Sequence, residues 1–446
     1  MRNLQEIIER IERKLKGGRY LLNLSLEESL AVEVKSGEAC EVEHLREGGL
    51  GLSVELPGGR VGFTSATFGD EPPEVELLCE RAIAAAKVAS AVRGSSLPEI
   101  LGKPKDKSLD ILDPLYLNFT PDVALSYAAE AEREAYGVDK RVTSVRRARC
   151  EGGVTKNVVA VAGGHYSWEE SGYSLSLETG AREGDEGESS WAQGEARILS
   201  YLDPCSIGRE SGERAVGLLG GELPISGRYA VVLDSRVALD MLDVFGFSLI
   251  GENVTRGKSL LAGRVGKRIF SDKLTIVDDG LLPGGLNSSP LDGEGSAKGR
   301  TACVEGGVLN AFLYDRRSAA EAGVSTTGNG GGGLASPVEP SSTNLFIDCG
   351  EGPSREQLVQ SLNTGVLISE VMGLHTIDPI SGQFSLGFSG HLIRGGEIFA
   401  PLTGGTISGN ILDLFNNVEL VGGDLRFQGG FGAPSLLLSG VEIAGQ

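Results

Sequence analysis

The chain has 446 residues, of which 41 are basic and 61 acidic, so its formal net charge is −20. This excess of carboxylates argues against direct nucleic-acid binding, because that binding requires Lys and Arg side chains to neutralise phosphates. No apolar stretch is long enough to span a membrane, and the six scattered cysteines indicate a reducing, cytoplasmic location. Glycine, at 66 residues, is about twice as frequent as usual and predicts many turns and hairpins.

The first predicted domain covers residues 1–100 and combines helices with strands. An amphipathic helix opens the chain, and alternating residues then predict strands, with a hairpin that turns at Pro57-Gly58-Gly59. A helical pattern returns over 73–93. Residues 94–108 are rich in Pro, Gly, Ser and Lys, and they are predicted to form a linker.

The second predicted domain, 109–222, is a central segment of helices and strands. Thr120 is placed to cap a helix that starts with Pro121, since Thr is a common N-cap and Pro a common first helical residue. Period-two alternation predicts strands over 141–200, and a further helix is expected over 203–219.

The third predicted domain, 226–446, contains most of the glycine. Short strands separated by GG or DG turns dominate it, and helices are expected chiefly over 236–249, 315–322 and 354–363. Strands outnumber helices too heavily for a βαβ fold. The predicted fold class is therefore α+β, with a large, glycine-rich, antiparallel C-terminal domain.

Two glycine motifs resemble nucleotide-binding loops but lack the structural setting that such loops need. Residues 328–333 fit GxGxxG, yet a segment with two prolines follows where a helix should begin, so a loop is expected. Residues 251–259 resemble a P-loop with one residue too many between the glycines, and a helix end followed by a turn is expected.

The four histidines are too far apart for a zinc-binding helix of the HExxH or HExxxH type. His375 follows a predicted strand and is the histidine with the most interesting local context. Among the acids, Asp292 and Glu294 lie in a glycine-flanked loop, and Asp278 and Asp279 precede a glycine. Both pairs are interpreted as solvated turns, although a carboxylate-only site would favour Ca²⁺ or Mg²⁺.

Several stretches of the third domain match motifs in a fixed order. They are Ser289–Gly295, Thr326–Asn329, Gly365–Gly373, Asp378–Ser385, Ile407–Asn410 and Val441–Gln446. Together they resemble the TldD/PmbA family of gyrase modulators, whose PmbA members are also called TldE. The resemblance extends over nearly the whole chain.

This resemblance implies a cytoplasmic zinc metallopeptidase built from two related subunits. The TldD-type subunit carries His-Glu-x-x-x-His and a late cysteine ligand. Here Leu242-Asp243-Val244-Phe245-Gly246-Phe247 occupies the place of that motif, and the last cysteine, Cys349, comes too early. The chain therefore resembles the metal-free PmbA/TldE-type subunit, with no catalytic residue or zinc of its own and zinc expected only in the partner.

The implied partners are a TldD-type catalytic subunit and an unfolded peptide that is degraded or matured, and a homodimer is conceivable without that subunit. Candidate residues of the peptide chamber are Asp292, Glu294, Thr327, Gly328, Asn329, Glu370 and His375. Two alternatives stay open. One is a homodimeric binding or regulatory protein of the gyrase-modulator type, and the other is a hydrolase that acts through carboxylates or His375 without the zinc motif.

Overall fold

The computed structural model describes residues 2–69, 71, 73–91 and 97–446. The helices of this part of the chain are α1 (Arg2–Leu15), α2 (Val75–Val88), α3 (Pro121–Val138), α4 (Pro204–Gly217), α5 (Ser235–Leu249), α6 (Gly251–Thr255), α7 (Arg316–Ala322), α8 (Arg355–Gln360) and α9 (Ile411–Asn416). None of these helices is long and apolar enough to cross a membrane.

The strands belong to three large sheets and one small two-stranded sheet. They are β1 (Arg19–Lys35), β2 (Glu38–Leu56), β3 (Arg60–Phe68), β4 (Val142–Val161), β5 (Gly164–Glu183), β6 (Glu186–Ala196), β7 (Gly227–Leu233), β8 (Ile276–Asp279), β9 (Arg300–Glu305), β10 (Val308–Leu309), β11 (Gly330–Gly331), β12 (Glu339–Pro340), β13 (Leu345–Ile347), β14 (Thr364–Met372), β15 (Gln383–Arg394), β16 (Glu397–Asn410), β17 (Val418–Val421), β18 (Arg426–Gln428), β19 (Phe431–Ala433) and β20 (Leu436–Ala444).

The first sheet is antiparallel and contains six long strands in the order β3-β2-β1-β4-β5-β6. Helices cover one of its faces, with α1 and α2 packed over one end and α3 and α4 over the other. Alternate residues of β1, such as Tyr20, Leu22 and Val32, point into these two cores. On the opposite face, no helix of the described residues packs, and loops of the C-terminal domain contact the sheet instead, at Gly293 and Gly333.

Local sequence explains several boundaries in this part of the fold. The side-chain oxygen of Thr120 accepts a hydrogen bond from the amide of Val123, and Pro121 begins α3. The hairpin between β2 and β3 turns at Pro57-Gly58-Gly59, where both glycines have positive φ. Both local predictions are thereby confirmed.

The C-terminal domain packs two six-stranded sheets around one apolar core. Their strand orders are β10-β9-β8-β13-β19-β18 and β16-β15-β14-β7-β20-β17. An extra pairing of β16 with β20 closes the second sheet on itself. Helix α5 is largely buried within this core, where Phe245 makes edge-to-face contacts with Phe270 and Phe415.

The α+β fold class with a β-dominated C-terminal domain is confirmed. In the described part of the chain the strand pairs are mostly antiparallel, and the pairs β7–β14 and β13–β19 are parallel. The first two predicted domains contribute strands to one sheet, because β1 pairs with β4 along 14 residues. Part of the predicted linker, 92–96, lies outside the described residues. Its later part is held in place, since the Gly102 amide donates to the Gly295 carbonyl at 2.7 Å.

Candidate functional site

A polar cleft lies between the helix-free face of the first sheet and two loops of the C-terminal domain, 286–298 and 328–343. It contains two adjoining cavities of about 310 and 190 Å³. The residues that line both cavities are Asn157, Trp168, Ser289, Lys298, Gly330 and Gly331. Amides and hydroxyls predominate in the larger cavity, whereas the smaller one also has apolar walls at Val158, Val159 and Leu291. Together with the exposed backbone of the two glycines, this lining suits an extended peptide.

Asp278, at the end of β8, fixes the position of the second loop. Its carboxylate accepts hydrogen bonds from Thr343 N at 2.6 Å, Thr343 Oγ1 at 2.8 Å and Asn329 Nδ2 at 2.8 Å. Asp278 is 1% exposed, and burial raises its pKa while these three donors lower it. The carboxylate therefore serves as a buried anchor for the loop that lines the cleft.

Asp292 joins the two loops in a similar way. One of its oxygens accepts from the Glu294 and Ser296 amides and the other from the Gly330 amide, at 2.8–3.0 Å. Burial raises its pKa to about 6. Burial also raises the pKa of Glu294 to about 8, although the Arg316 amide opposes the shift by donating to Glu294 Oε2.

Two cations lie at the cleft, and both serve first to hold carbonyl groups. Lys298 Nζ donates to the Asn287 carbonyl at 2.8 Å, and burial lowers its pKa against the attraction of nearby carboxylates. The Arg197 guanidinium bonds the carbonyls of Ser171, Gly285 and Leu286. Arg197 thus connects the first sheet to the start of the loop 286–298. Lys298 contributes a positive charge to both cavities.

The sheet and the glycine loop approach each other at backbone distance. A Cβ added to Gly51 would lie 1.8 Å from the carbonyl oxygen of Gly333, whose own φ is +95°. Asn23 Nδ2 also donates to the Gly293 carbonyl at 3.1 Å. Glycine is required on both sides of this contact, because any side chain would push the loop away from the sheet.

The structure brings five of the seven candidate chamber residues to this cleft region. Asp292 and Asn329 line it, Glu294 adjoins them, and Thr327 Oγ1 lies 2.7 Å from Asn329 Oδ1 with Gly328 between the two residues. The chamber role of these residues stays a prediction.

The other two candidates lie apart from the cleft region. The hydroxyl of Ser190 donates to Glu370 near the end of β14, and His375 is exposed in a short turn over 374–376.

The interpretation of the acidic pairs as solvated turns is wrong. Asp278 and Asp279 are 1% and 4% exposed and end a strand, and Asp292 is 2% exposed. Local sequence does not distinguish a solvated turn from a buried loop anchor, because the donors that join the loops come from far along the chain. They are Asn329 and Thr343 for Asp278, and Gly330 for Asp292. The two glycine motifs, by contrast, are close to their predicted structures: residues 328–333 form a loop that contains the two-residue strand β11, and residues 251–259 form a short helix followed by a turn.

Residues 242–247, where the family resemblance places the zinc motif, lie on α5. Leu242 is fully buried in the apolar core, Asp243 is exposed, and Phe247 is partly buried. Neither Leu nor Phe has a lone pair to donate to a metal, so these residues do not fit a zinc ion. Among the described residues, three possible ligands do meet at Glu130, Glu134 and Cys205, but they lie on α3 and α4.

Two family models match the chain over most of its length. The PmbA/TldA metallopeptidase central domain matches residues 115–219, and the C-terminal domain of the same family matches residues 226–445. The chain belongs to the PmbA/TldD family. Within this family, it is 29% identical over 429 residues to metalloprotease PmbA of Escherichia coli O157:H7, which covers 94% of this chain and 90% of that protein. A metalloprotease of Methanothermobacter thermautotrophicus is 31% identical over 236 residues, about half of each chain.

Solved structures of PmbA/TldD relatives have the same fold. A Thermotoga maritima protein described as a modulator of a DNA gyrase superposes with a TM-score of 0.88 and 26% identity, over 99% of this chain and all of that one. TldE from Thermococcus kodakarensis superposes with a TM-score of 0.85 and 21% identity, over 98% of this chain and all of that one, which shows a common fold.

Sequence reasoning missed Asn157, Trp168, Arg197 and Lys298 as cleft residues. The first three lie in or beside strands of the first sheet, and Lys298 lies in the C-terminal loop, so no local motif connects them. An indirect signal was the glycine content of 328–333, which allows the loop to approach the sheet. That signal indicates close backbone contact but does not identify the surface that is contacted.

Proposed function

We propose that this chain is the metal-free, non-catalytic subunit of a cytoplasmic zinc peptidase and that it pairs with a TldD-type subunit that carries the zinc ligands. One observation supports the proposal: in a chain that matches the family over two domains, Leu242 and Phe247 of α5 lie where the family resemblance places the two imidazoles of the zinc motif. Without a zinc ion, no bound water has its pKa lowered toward neutrality, and hydrolysis requires the partner's metal.

In this proposal the cleft receives part of an unfolded peptide. Exposed backbone at Gly330 and Gly331 offers hydrogen-bonding groups to an extended chain, and Trp168 offers an aromatic surface for its side chains. Lys298 provides the one positive charge that both cavities share among the described residues, so a peptide carboxylate is expected to bind beside it. The chain thereby orients a substrate that its partner cleaves.

The decisive experiment is a peptidase assay on an unstructured peptide with three samples: this chain, a TldD-type chain with His-Glu-x-x-x-His, and their mixture. We expect cleavage only in the mixture and its loss on addition of a chelator. Cleavage by this chain alone would support the carboxylate hydrolase. Equal cleavage by the TldD-type chain without this one would contradict the subunit role.

A matched pair of variants tests the cleft. Lys298→Met is expected to raise KM of the mixture for peptides, whereas Lys267→Met, which removes an exposed lysine outside the cleft, is expected to leave KM unchanged. Sedimentation of this chain alone and with its partner tests whether a homodimer forms when the TldD-type subunit is absent.

A further inference from the structure

Among the described residues, the open segment of β2, residues 38–47, pairs with another strand along one edge only. This strand pairs with β1 along its length, but on its other side β3 covers only Gly48–Leu56. Among the described residues, no strand pairs with the outer edge of 38–47. Ten residues in β conformation extend over about 34 Å, and a strand edge that no neighbouring strand covers is a template for a further strand.

The open segment is held firmly at its tip. The turn from β1 to β2 passes through Ser36 and Gly37, with φ of 56° and 76°. Glu132 of α3, which is 4% exposed, accepts a hydrogen bond from each of these two amides, at 2.8 and 2.7 Å. Because both carboxylate oxygens are used, the hairpin is fixed to the helix layer. An added strand would therefore meet an edge that is already ordered.

The charge of the open segment indicates which kind of polypeptide would bind along its edge. Residues 38–47 contain four glutamates and one arginine, for a net charge of −3. On the helix-free face, β1 places Glu33 directly opposite Glu41 and Glu27 directly opposite Glu47. Arg149 of β4 lies directly opposite Glu33 on the other side of β1 and pairs with Glu43. Glu41 and Glu47 still lie opposite like charges, which destabilise a sheet, so a cation beside these two residues would relieve repulsion.

We propose that the outer edge of 38–47 binds an extended, basic polypeptide segment as an additional β-strand. Lys or Arg side chains of that segment lie opposite Glu41 and Glu47, and an apolar side chain lies opposite Leu45, which is 45% exposed. The inference does not depend on the proposed subunit role, because the edge lies on the first sheet outside the cleft loops.

Charge argues against a second copy of this chain as the occupant. In a dimer whose twofold axis is perpendicular to the sheet, two residues that pair across the edge have their side chains on the same face. Such a dimer would place Glu43 opposite itself, or Glu41 opposite Glu43 or Glu47. Each of these registers brings glutamates together, whereas a basic strand removes the repulsion. The structure therefore favours a partner of opposite charge.

The test measures fluorescence anisotropy of the labelled peptide Lys-Thr-Val-Thr-Val-Thr-Lys, whose symmetry allows either strand direction. We expect the wild-type chain to bind it, more weakly at higher salt, and Glu41→Gln/Glu47→Gln to weaken binding about two- to thirtyfold, since two exposed ion pairs are lost. The control Glu321→Gln/Glu419→Gln makes the same change of net charge at exposed sites elsewhere and is expected to leave binding unchanged.

Two further probes separate strand addition from general attraction. A peptide with Glu in place of Lys, and one with Pro in place of the central Thr, are both expected to bind poorly. Equal binding of the Pro peptide, equal loss in the control variant, or no binding of the Lys peptide would each overturn the proposal. Self-association of the chain that the Glu41/Glu47 double variant abolishes would also overturn it, in favour of a second copy.

Discussion

Asp278→Asn is the sharpest test of how the cleft loops are held. The substitution keeps the size of the side chain, so any effect comes from hydrogen bonding and charge. An asparagine oxygen can still accept from Thr343 N, but its amide nitrogen then faces the Asn329 amide, where the carboxylate oxygen now lies at 2.8 Å. Two donors would meet, and the Asn329 amide would lose its carboxylate acceptor.

An unsatisfied buried donor costs about 1–3 kcal/mol, and the remaining bond also loses its charge assistance. We therefore expect Asp278→Asn to lower the free energy of unfolding by about 2–3 kcal/mol. At about 2–4 °C per kcal/mol for a domain of this size, the melting temperature should fall by roughly 4–12 °C. Hydrogen exchange should accelerate at the Thr343 amide, because its bond to a neutral asparagine oxygen is weaker than its bond to the carboxylate.

The control is Asp272→Asn, which removes the same charge from an exposed residue of the same domain. Thermal denaturation and amide exchange of both variants should be measured side by side. A melting temperature of Asp278→Asn equal to that of the control, together with unchanged exchange at Thr343, would refute the role of Asp278 as a buried anchor.

Three further predictions concern pH, packing and charge. The folded pKa of Glu294, about 8, exceeds its ordinary 4.5, so stability should fall as pH rises from about 4.5 to 8; Glu294→Gln should flatten that part of a denaturation-versus-pH curve, and an unchanged slope would contradict the shift. Gly51→Ala should destabilise the protein by about 1–3 kcal/mol in urea denaturation because its Cβ meets Gly333, whereas Gly172→Ala, with no atom within 4 Å, should have little effect. Asp234→Ala removes a buried carboxylate that pairs with Arg214 and Arg355. Because these arginines keep Glu210 and Glu356 as partners, the cost should be about 1–3 kcal/mol by the same measurement, and a loss below about 1 kcal/mol would show that the pairs with Asp234 contribute little to stability.

Local sequence was sufficient for the type of most elements. The cap at Thr120, the turn after Leu56 and the helices near 236–249 and 315–322 depend on a few neighbouring residues, and the structure contains them. Periodicity also indicated which faces are apolar. These features follow from backbone conformation and burial within single segments.

The pairing of strands that lie far apart in the chain could not be predicted from local sequence. The contact of β1 with β4 joins residues more than 100 positions apart, and nothing in either strand specifies the other. The role of Asp278 depends on donors from Asn329 and Thr343, which the chain brings together only after β8 and the loop at 328–343 have docked. The structure therefore places the candidates near 292–294 and 327–329 side by side and Glu370 and His375 apart from them, and the chamber role of all seven residues stays a prediction.

The far edge of the first sheet has a consequence for any attempt to divide the protein. Along β6, the carbonyls of Trp191 and Gln193 accept hydrogen bonds from Arg236 and Arg426 of the C-terminal domain. A fragment that ends near residue 222 would lose both donors and expose this strand to other molecules. Dissection by truncation would then create an aggregating species, and the two halves are better studied by substitutions within the full chain.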